Sequence, residues 1–334
     1  DGCLLVLGAC LYTLAFPPYE WSGLAWLTLT PLFLVLRGKT PRAGFLAGLL
    51  FGTLSACGIV FWVYSAVATF FALGFVLDAL GALLTYAFFG GVPIGLAAAS
   101  SCQLMGGSHP VGQGHPGSSR CWLGVPAVWV SIEYARSSLL PGFSWGILGY
   151  SQAYHLHLIQ IADVTSVYGL SFLIGLSGYL IADLLSALHR IHASSFTRNA
   201  LRAFPWPGLT ALVIGVVFTV SYGAIRLRQY EIPPHARPVT TALARGDIPS
   251  EQRWQRMFHG STLLTYAALT RHGVNGTRPD LVVWPEFALG FYLDQEPRLR
   301  AQLVWLAQEL NTALLIGAPR MVKHATGMHY YNSA

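Results

Sequence analysis

The chain has 334 residues, 54% of them hydrophobic and only 10% charged, with a mean hydropathy of +0.51 and a formal charge of +6 at neutral pH. Soluble domains carry about 25% charged residues, so this composition excludes an ordinary soluble enzyme and indicates a membrane protein. The basic residues sit in short clusters beside apolar runs, without a long basic stripe or an interleaved aromatic platform, which argues against a nucleic-acid partner.

Charge is spread unevenly. Residues 43–119 hold one formally charged side chain, Asp78, whereas residues 226–334 carry charge at an ordinary soluble density. Two regimes therefore meet near Arg226: a membrane domain over 1–226 and a soluble domain over 227–334. A spanning helix needs about 20 mostly apolar residues. In chain order the candidates are 3–16, 22–36, 43–64, 71–100, 123–139, 167–188 and 207–225, seven in all, and the fourth is long enough to tilt or to break near Gly90–Gly91.

Within these spans, Asp78 is an intramembrane carboxylate, a functional candidate by default, with no partner visible in the sequence. Glu133 and Arg136, three apart at a helix end, are spaced for an interfacial ion pair. Phe143 and Trp145 fall where an aromatic belt is expected, with a lipid-gating role as the alternative. The five cysteines (Cys3, Cys10, Cys57, Cys102 and Cys121) are scattered and suggest neither a disulfide framework nor a zinc site. Segment 100–122 is rich in Gly, Ser, His and Pro and reads as a flexible loop. Its His109 and His115 lack the carboxylate or thiolate partners of a metal site.

Loop charge gives an orientation. Loop 37–42 has three Lys or Arg, loop 101–122 has Arg120, and loop 189–206 has Arg190, Arg198 and Arg202, while loops 17–21, 65–70 and 140–166 have none. The positive-inside rule places the basic loops in the cytoplasm, and an odd number of spans then delivers the soluble domain to the opposite side.

The soluble part alternates: a strand in 238–246, a helix in 250–272, a strand in "DLVVWPE", a helix in 296–311, a strand in 312–320 and another beginning at Tyr330. This β-α-β-α-β-β order predicts an α/β layered domain, and it contains no Gly-rich phosphate loop and no GxSxG elbow. The stretch "LVVWPEFALG" (281–290) reads as a strand buried on both faces that ends in a carboxylate. Glu286 is there either a loop charge meeting an Arg or an amide, or a catalytic base, desolvated at the strand end and so poised for proton transfer.

Several segments, in order, resemble the apolipoprotein N-acyltransferases. "AFPPYEW" (15–21) and "PLFLVLRG" (31–38) resemble the family's opening hairpin. "PGFSWGILGYSQ" (141–152) is similar to its GFPW-x-x-x-GYSQ segment, with Ser144 in place of the usual Pro. "YGLSFLIGLSGYLIA" resembles its next membrane helix, and "RGDIPSEQRW" (245–254) the opening of its soluble domain, with Arg253 in place of the more usual Lys. "LVVWPE", "IGAPR" and "YYNSA" follow in the family's order.

The resemblance implies a multi-pass α-helical membrane domain followed by part of an α/β nitrilase-like (αββα) domain, in a bacterial inner membrane with the soluble domain outside the cytoplasm. It implies a Glu–Lys–Cys triad with Glu286 as base. Its Lys and Cys belong after "YYNSA", where this chain stops; the only lysines, Lys39 and Lys323, do not match, and residues 122–334 contain no Cys. The chain opens at Asp1 without Met and stops within a predicted strand, so a fragment is expected, and one not expected to form a thioester by itself.

The implied reaction moves an acyl chain from a phospholipid donor, through a Cys thioester, to the α-amine of a diacylglyceryl-modified lipoprotein, with no cofactor. By the same resemblance Trp254 lies near the lipid-facing entrance, although packing is the common role of such a Trp. Asn332 lies beside the site and could donate to the acyl oxygen, or make only a strand-edge hydrogen bond. The rivals are a membrane-tethered nitrilase-type amidase, a non-catalytic membrane anchor for a glycosyltransferase, and a transporter; the last should show internal repeats, and none is visible.

Overall fold

The computed structural model describes residues 1–106, 121–139, 142–193, 205–229, 237–274, 278–324 and 327–334, with backbone alone at 190–193 and 250. His109, His115, Arg120, Arg198 and Arg202 lie outside the described residues, as does most of segment 100–122. The chain divides into two compact units, Asp1–Glu231 and Ile232–Ala334.

The first unit is helical. Its elements are α1 (Gly2–Leu14), α2 (Ala25–Thr28), α3 (Thr30–Leu36), α4 (Pro41–Ile59), α5 (Val63–Phe71), α6 (Phe75–Tyr86), α7 (Val92–Leu104), α8 (Cys121–Ser138), the short α9 (Leu156–Ile159) and α10 (Ala162–Thr165), α11 (Tyr168–Ala193) and α12 (Trp206–Gln229). Among the described residues, four helical stretches are long and apolar enough to cross a membrane: Pro41–Ile59, Phe75–Leu104, Tyr168–His189 and Trp206–Gln229.

The seven expected spans are therefore shown only in part. Helix α1, Gly2–Leu14, is one of the shorter apolar helices. The 22–36 segment splits at Leu29, and Pro31 sits in the first turn of the helix that follows, where its missing N–H costs no helical bond. Helix α8 carries Glu133, Arg136 and an internal Pro126.

The expected break near Gly90–Gly91 is a π turn over Ala87–Gly91, joining α6 to α7 without interrupting the helix. It lies against a close helix contact. Gly44, Gly48 and Gly52 recur every fourth residue and so share one face of α4. A Cβ on Gly48 would come within 2.6 Å of the Ile94 carbonyl oxygen, and one on Gly52 within 2.5 Å of the Gly90 carbonyl oxygen. Backbone lies on backbone there, as small residues allow between membrane helices. The core beside it is formed by Leu29, Leu32, Phe33, Phe51, Leu148, Ile174 and Leu176.

Asp78 does have a partner. It is buried in the first turn of α6 and its Oδ1 accepts a hydrogen bond from Leu73 N at 3.1 Å, closing the turn after α5. Such a carboxylate satisfies an amide that lacks a helical acceptor. Glu133 and Arg136 do not form the expected ion pair. Glu133 is buried and its Oε1 accepts from Leu148 N at 2.8 Å. The short carboxylate is drawn to an unpaired loop amide, and Arg136 is in none of the ion pairs among the described residues.

The second unit has three parallel strands in the order β1 (Thr241–Leu243), β2 (Leu281–Trp284), β3 (Ala313–Ile316), and an antiparallel hairpin of β4 (Ala318–His324) and β5 (Gly327–Ser333). Between them lie α13 (Ser250–Arg253), α14 (His259–Val274) and α15 (Pro297–Leu310). The expected 250–272 helix is thus broken around Trp254, and the 312–320 strand is two strands separated by Gly317.

Strand β2 is central, but it is not buried on both faces. Val282 and Trp284 are buried under Leu263, Tyr266 and Ala267 of α14 and Leu303 and Leu306 of α15, while Leu281 and Val283 on the other face are half-buried. Both helices lie on one face, so burial alternates with the two-residue period of the strand.

Candidate active site

Strand β2 delivers its last paired residue, Trp284, into the core. The indole stacks on Tyr266 with ring centroids 4.8 Å apart and donates from Nε1 to Thr270 Oγ1 at 2.9 Å. The chain then turns sharply. Ala288 N donates to the Pro285 carbonyl at 3.0 Å, and Phe287 adopts a left-handed φ of 49°, a conformation that disfavours residues with a Cβ and persists only when its surroundings enforce it. The enforcement is visible: Ala288, Leu289 and Gly290 return at once to the buried core, and Leu289 N donates to the Gly317 carbonyl at 3.2 Å.

Gly317 also sets how close the β3–β4 link comes. A Cβ there would run into the Pro285 carbonyl oxygen and come within 2.8 Å of Glu286 Cα. The crest of this turn is Glu286. Its Oε1 accepts a hydrogen bond from Asn332 Nδ2 on β5. The two side chains border an open cavity of about 340 Å³ with Trp284, Leu315, Gly317, Ser333 and Ala334.

The expected desolvation of Glu286 is not found. The residue is exposed at the turn beyond the last paired residue of β2, with Asn332 of β5 beside it. Trp254 is 55% exposed and lies 5.3 Å, ring to ring, from Phe287, so it is neither a packed core residue nor remote from the turn. The structure thus brings Glu286, Asn332 and, through Phe287, Trp254 together.

Phe143 and Trp145 belong to the helical unit. Phe143 stacks on Phe89 at 4.8 Å, and Trp145 meets Trp62 edge-on at 5.5 Å. Among the described residues no group of three or more His, Cys, Asp or Glu side chains is placed to hold a metal ion. Sequence reasoning did not single out Phe287 or Gly317. The Gly in "IGAPR" was the available signal, since a glycine between two apolar strands marks a close backbone approach.

A helical unit with four helices fit to cross a bilayer, followed in the same chain by a parallel α/β unit that raises a carboxylate at the end of its central strand, defines a membrane protein with a candidate acid–base site in its second unit. Residues 8–180 match the family model described as "Apolipoprotein N-acyltransferase N-terminal domain". Proteins named apolipoprotein N-acyltransferase are similar along the whole chain. That of Geobacter metallireducens is 32% identical over all of this chain and 60% of its own length. Those of Azotobacter vinelandii and Methylococcus capsulatus are 31% and 29% identical over 99% of this chain, and over 60% and 59% of their own lengths. The chain belongs to the apolipoprotein N-acyltransferase family, a family of acyltransferases, and spans about 60% of the length of the relatives it matches.

Proposed function

We propose that the full-length protein containing this chain transfers an acyl group from a membrane phospholipid to the α-amine of a lipoprotein's N-terminal diacylglyceryl-cysteine, by way of an enzyme thioester. The observation that supports this reading is the placement of Glu286, beyond the end of the central strand β2, held by Asn332 over an open cavity.

Glu286 acts as general base. It takes the thiol proton as sulfur attacks the ester carbonyl, and passes it to the departing lysophospholipid alkoxide. In the second half it takes a proton from the attacking amine, the amide forms, and the proton goes to the thiolate released as the C–S bond breaks. Both halves pass through a tetrahedral oxyanion, which a positive charge or aimed amides stabilise. The resemblance assigns that role to a lysine, and assigns the lysine and the nucleophilic cysteine to positions after the strand ending in "YYNSA", outside these 334 residues.

Asn332 holds the carboxylate or donates to the acyl oxygen. Trp254, with Phe287, lines the approach of the acyl chain. Phe143 and Trp145 meet lipid at the membrane surface. Residues 227–334 form the first portion of a nitrilase-like αββα domain on the extracytoplasmic side of a bacterial inner membrane. No cofactor enters this scheme.

The test is Glu286→Gln in the full-length protein, which keeps shape and hydrogen bonding but cannot accept the proton. Loss of a positioned base lowers rate by roughly 10²–10⁴-fold, about 3–5 kcal/mol of barrier. Normal membrane yield with almost no hydroxylamine-labile acyl adduct is the expected result. Normal yield with near-normal acylation would make Glu286 a loop charge. Release of free fatty acid by the wild type, water replacing the amine, would point to the nitrilase-type hydrolase.

A further inference from the structure

Once Glu133 is committed to the Leu148 amide, Arg136 is left with five N–H donors and no described acceptor. It sits within the last turn of α8, half-buried, and none of the side-chain hydrogen bonds or ion pairs among the described residues includes it. The carboxylate of Glu133 influences it electrostatically without reaching it.

Arg136 borders a small cavity of about 20 Å³ with Tyr12, Phe143, Trp145 and Gly146. In the same lining the Gly146 carbonyl accepts a hydrogen bond from Tyr12 Oη at 2.9 Å. A cavity of this size holds about one oxygen atom or one water. The aromatic rings fix its depth. Trp145 is 59% exposed and paired with Trp62, and such belts sit at the level of lipid headgroups. An arginine held at that level, with aromatic rings beside it and no ion-pair partner among the described residues, is complementary to an oxyanion. Guanidinium and phosphate pair two N–H bonds to two oxygens.

We propose that Arg136, framed by Phe143 and Trp145, binds the phosphate of a glycerophospholipid headgroup in the membrane unit. The inference goes beyond the acyl-transfer reading and does not depend on Glu286. The phosphate oxygen enters the cavity, the acyl chains run along the exposed apolar faces of the unit, and Trp145 covers the guanidinium from water.

The test uses the full-length protein, delipidated in neutral detergent and titrated with phosphatidylglycerol, with binding followed by native mass spectrometry and by thermal unfolding. Phosphatidylglycerol should bind the wild type and raise its unfolding temperature. Arg136→Gln should need roughly ten- to a hundredfold more lipid, the worth of losing a charged hydrogen-bonding pair. Arg136→Lys should fall between them, and Arg42→Gln should behave as wild type.

Diacylglycerol, which has the chains but no phosphate, should not bind at the site, and millimolar inorganic phosphate should not reproduce the shift. Equal titrations of wild type and Arg136→Gln, or equal effects of diacylglycerol and phosphatidylglycerol, overturn the proposal. A shift produced by inorganic phosphate alone assigns the site to the free ion and also overturns it. Should Arg136→Gln fail to fold, the lipid comparison on wild type and Arg136→Lys decides. Acyl transfer is not read in any arm, so a failure here leaves the Glu286 reading untouched.

Discussion

At Glu286 the only described hydrogen-bond donor to the carboxylate is Asn332, forty-six positions away in sequence. Replacing Asn332 by Ala in the full-length protein removes that donor from an exposed pair, so stability should hardly change while the carboxylate loses its fixed direction. The expected outcome is a fall of about tenfold in the rate of thioester formation at unchanged membrane yield, since a hydrogen bond to a charged group contributes about 1.5–3 kcal/mol, less where water competes. Asn332→Asp, which sets a second negative charge beside the first, should be worse than Ala. Equal rates for all three proteins would reduce the contact to a strand-edge hydrogen bond. The position of Glu286 was legible because Trp-Pro-Glu interrupts an apolar run at a strand end. Its exposure was not, because whether a strand end is covered depends on neighbouring strands that a linear pattern does not place. The link to Asn332 was open to inference only through family resemblance, since no spacing rule joins residues that far apart.

Among the elements, the α4–α7 contact makes the sharpest prediction. Gly48→Leu drives a branched side chain into the Ile94 carbonyl and the Gly95 backbone, where Cβ alone would already be 2.6 Å from the former and 2.9 Å from the latter. Overpacking a close helix pair of this kind destabilises by about 1–3 kcal/mol or more. Detergent-solubilised protein should unfold at a lower temperature and resist proteolysis less. By contrast Gly2→Leu, where nothing lies within 4 Å, should behave as wild type. If Gly48→Leu unfolds at the wild-type temperature, the two backbones do not meet as described. Long apolar runs such as 207–225 were readable from hydropathy alone. The fate of 22–36 and 123–139 was not, because proline placement and two charges decide whether an apolar stretch stays one uninterrupted apolar helix. The π turn at Ala87–Gly91 was legible only as a break near paired glycines, since hydropathy and glycine spacing do not register a change from α to π hydrogen bonding.

For the whole molecule, loop charge predicts sidedness. With loops 37–42 and 189–206 in the cytoplasm, a reporter fused at residue 240 should be active only if it is of a type that works after export. A cytoplasm-dependent reporter active at that position would reverse the orientation and, with it, the compartment proposed for Glu286. The α/β order of the second unit was legible from alternating periodicities, while the division of 312–320 into two strands was not. Parallel pairing of β3 with β2 and antiparallel pairing of β4 with β5 are long-range choices, made where one glycine lets the chain change sheets.

That glycine has a mechanical consequence. Strand β3 ends at Ile316 and β4 begins at Ala318, so the parallel sheet that carries Glu286 and the hairpin that carries Asn332 are joined directly through a single residue. The cavity floor belongs to one sheet and part of its wall to the other. Because Gly317 is packed against the Pro285–Glu286 backbone and its carbonyl accepts from Leu289 N, the hairpin that carries Asn332 is anchored at the turn that carries Glu286. Position and direction of the carboxylate are thereby fixed from one point: the residue that joins the two sheets also sets how far Asn332 stands from Glu286.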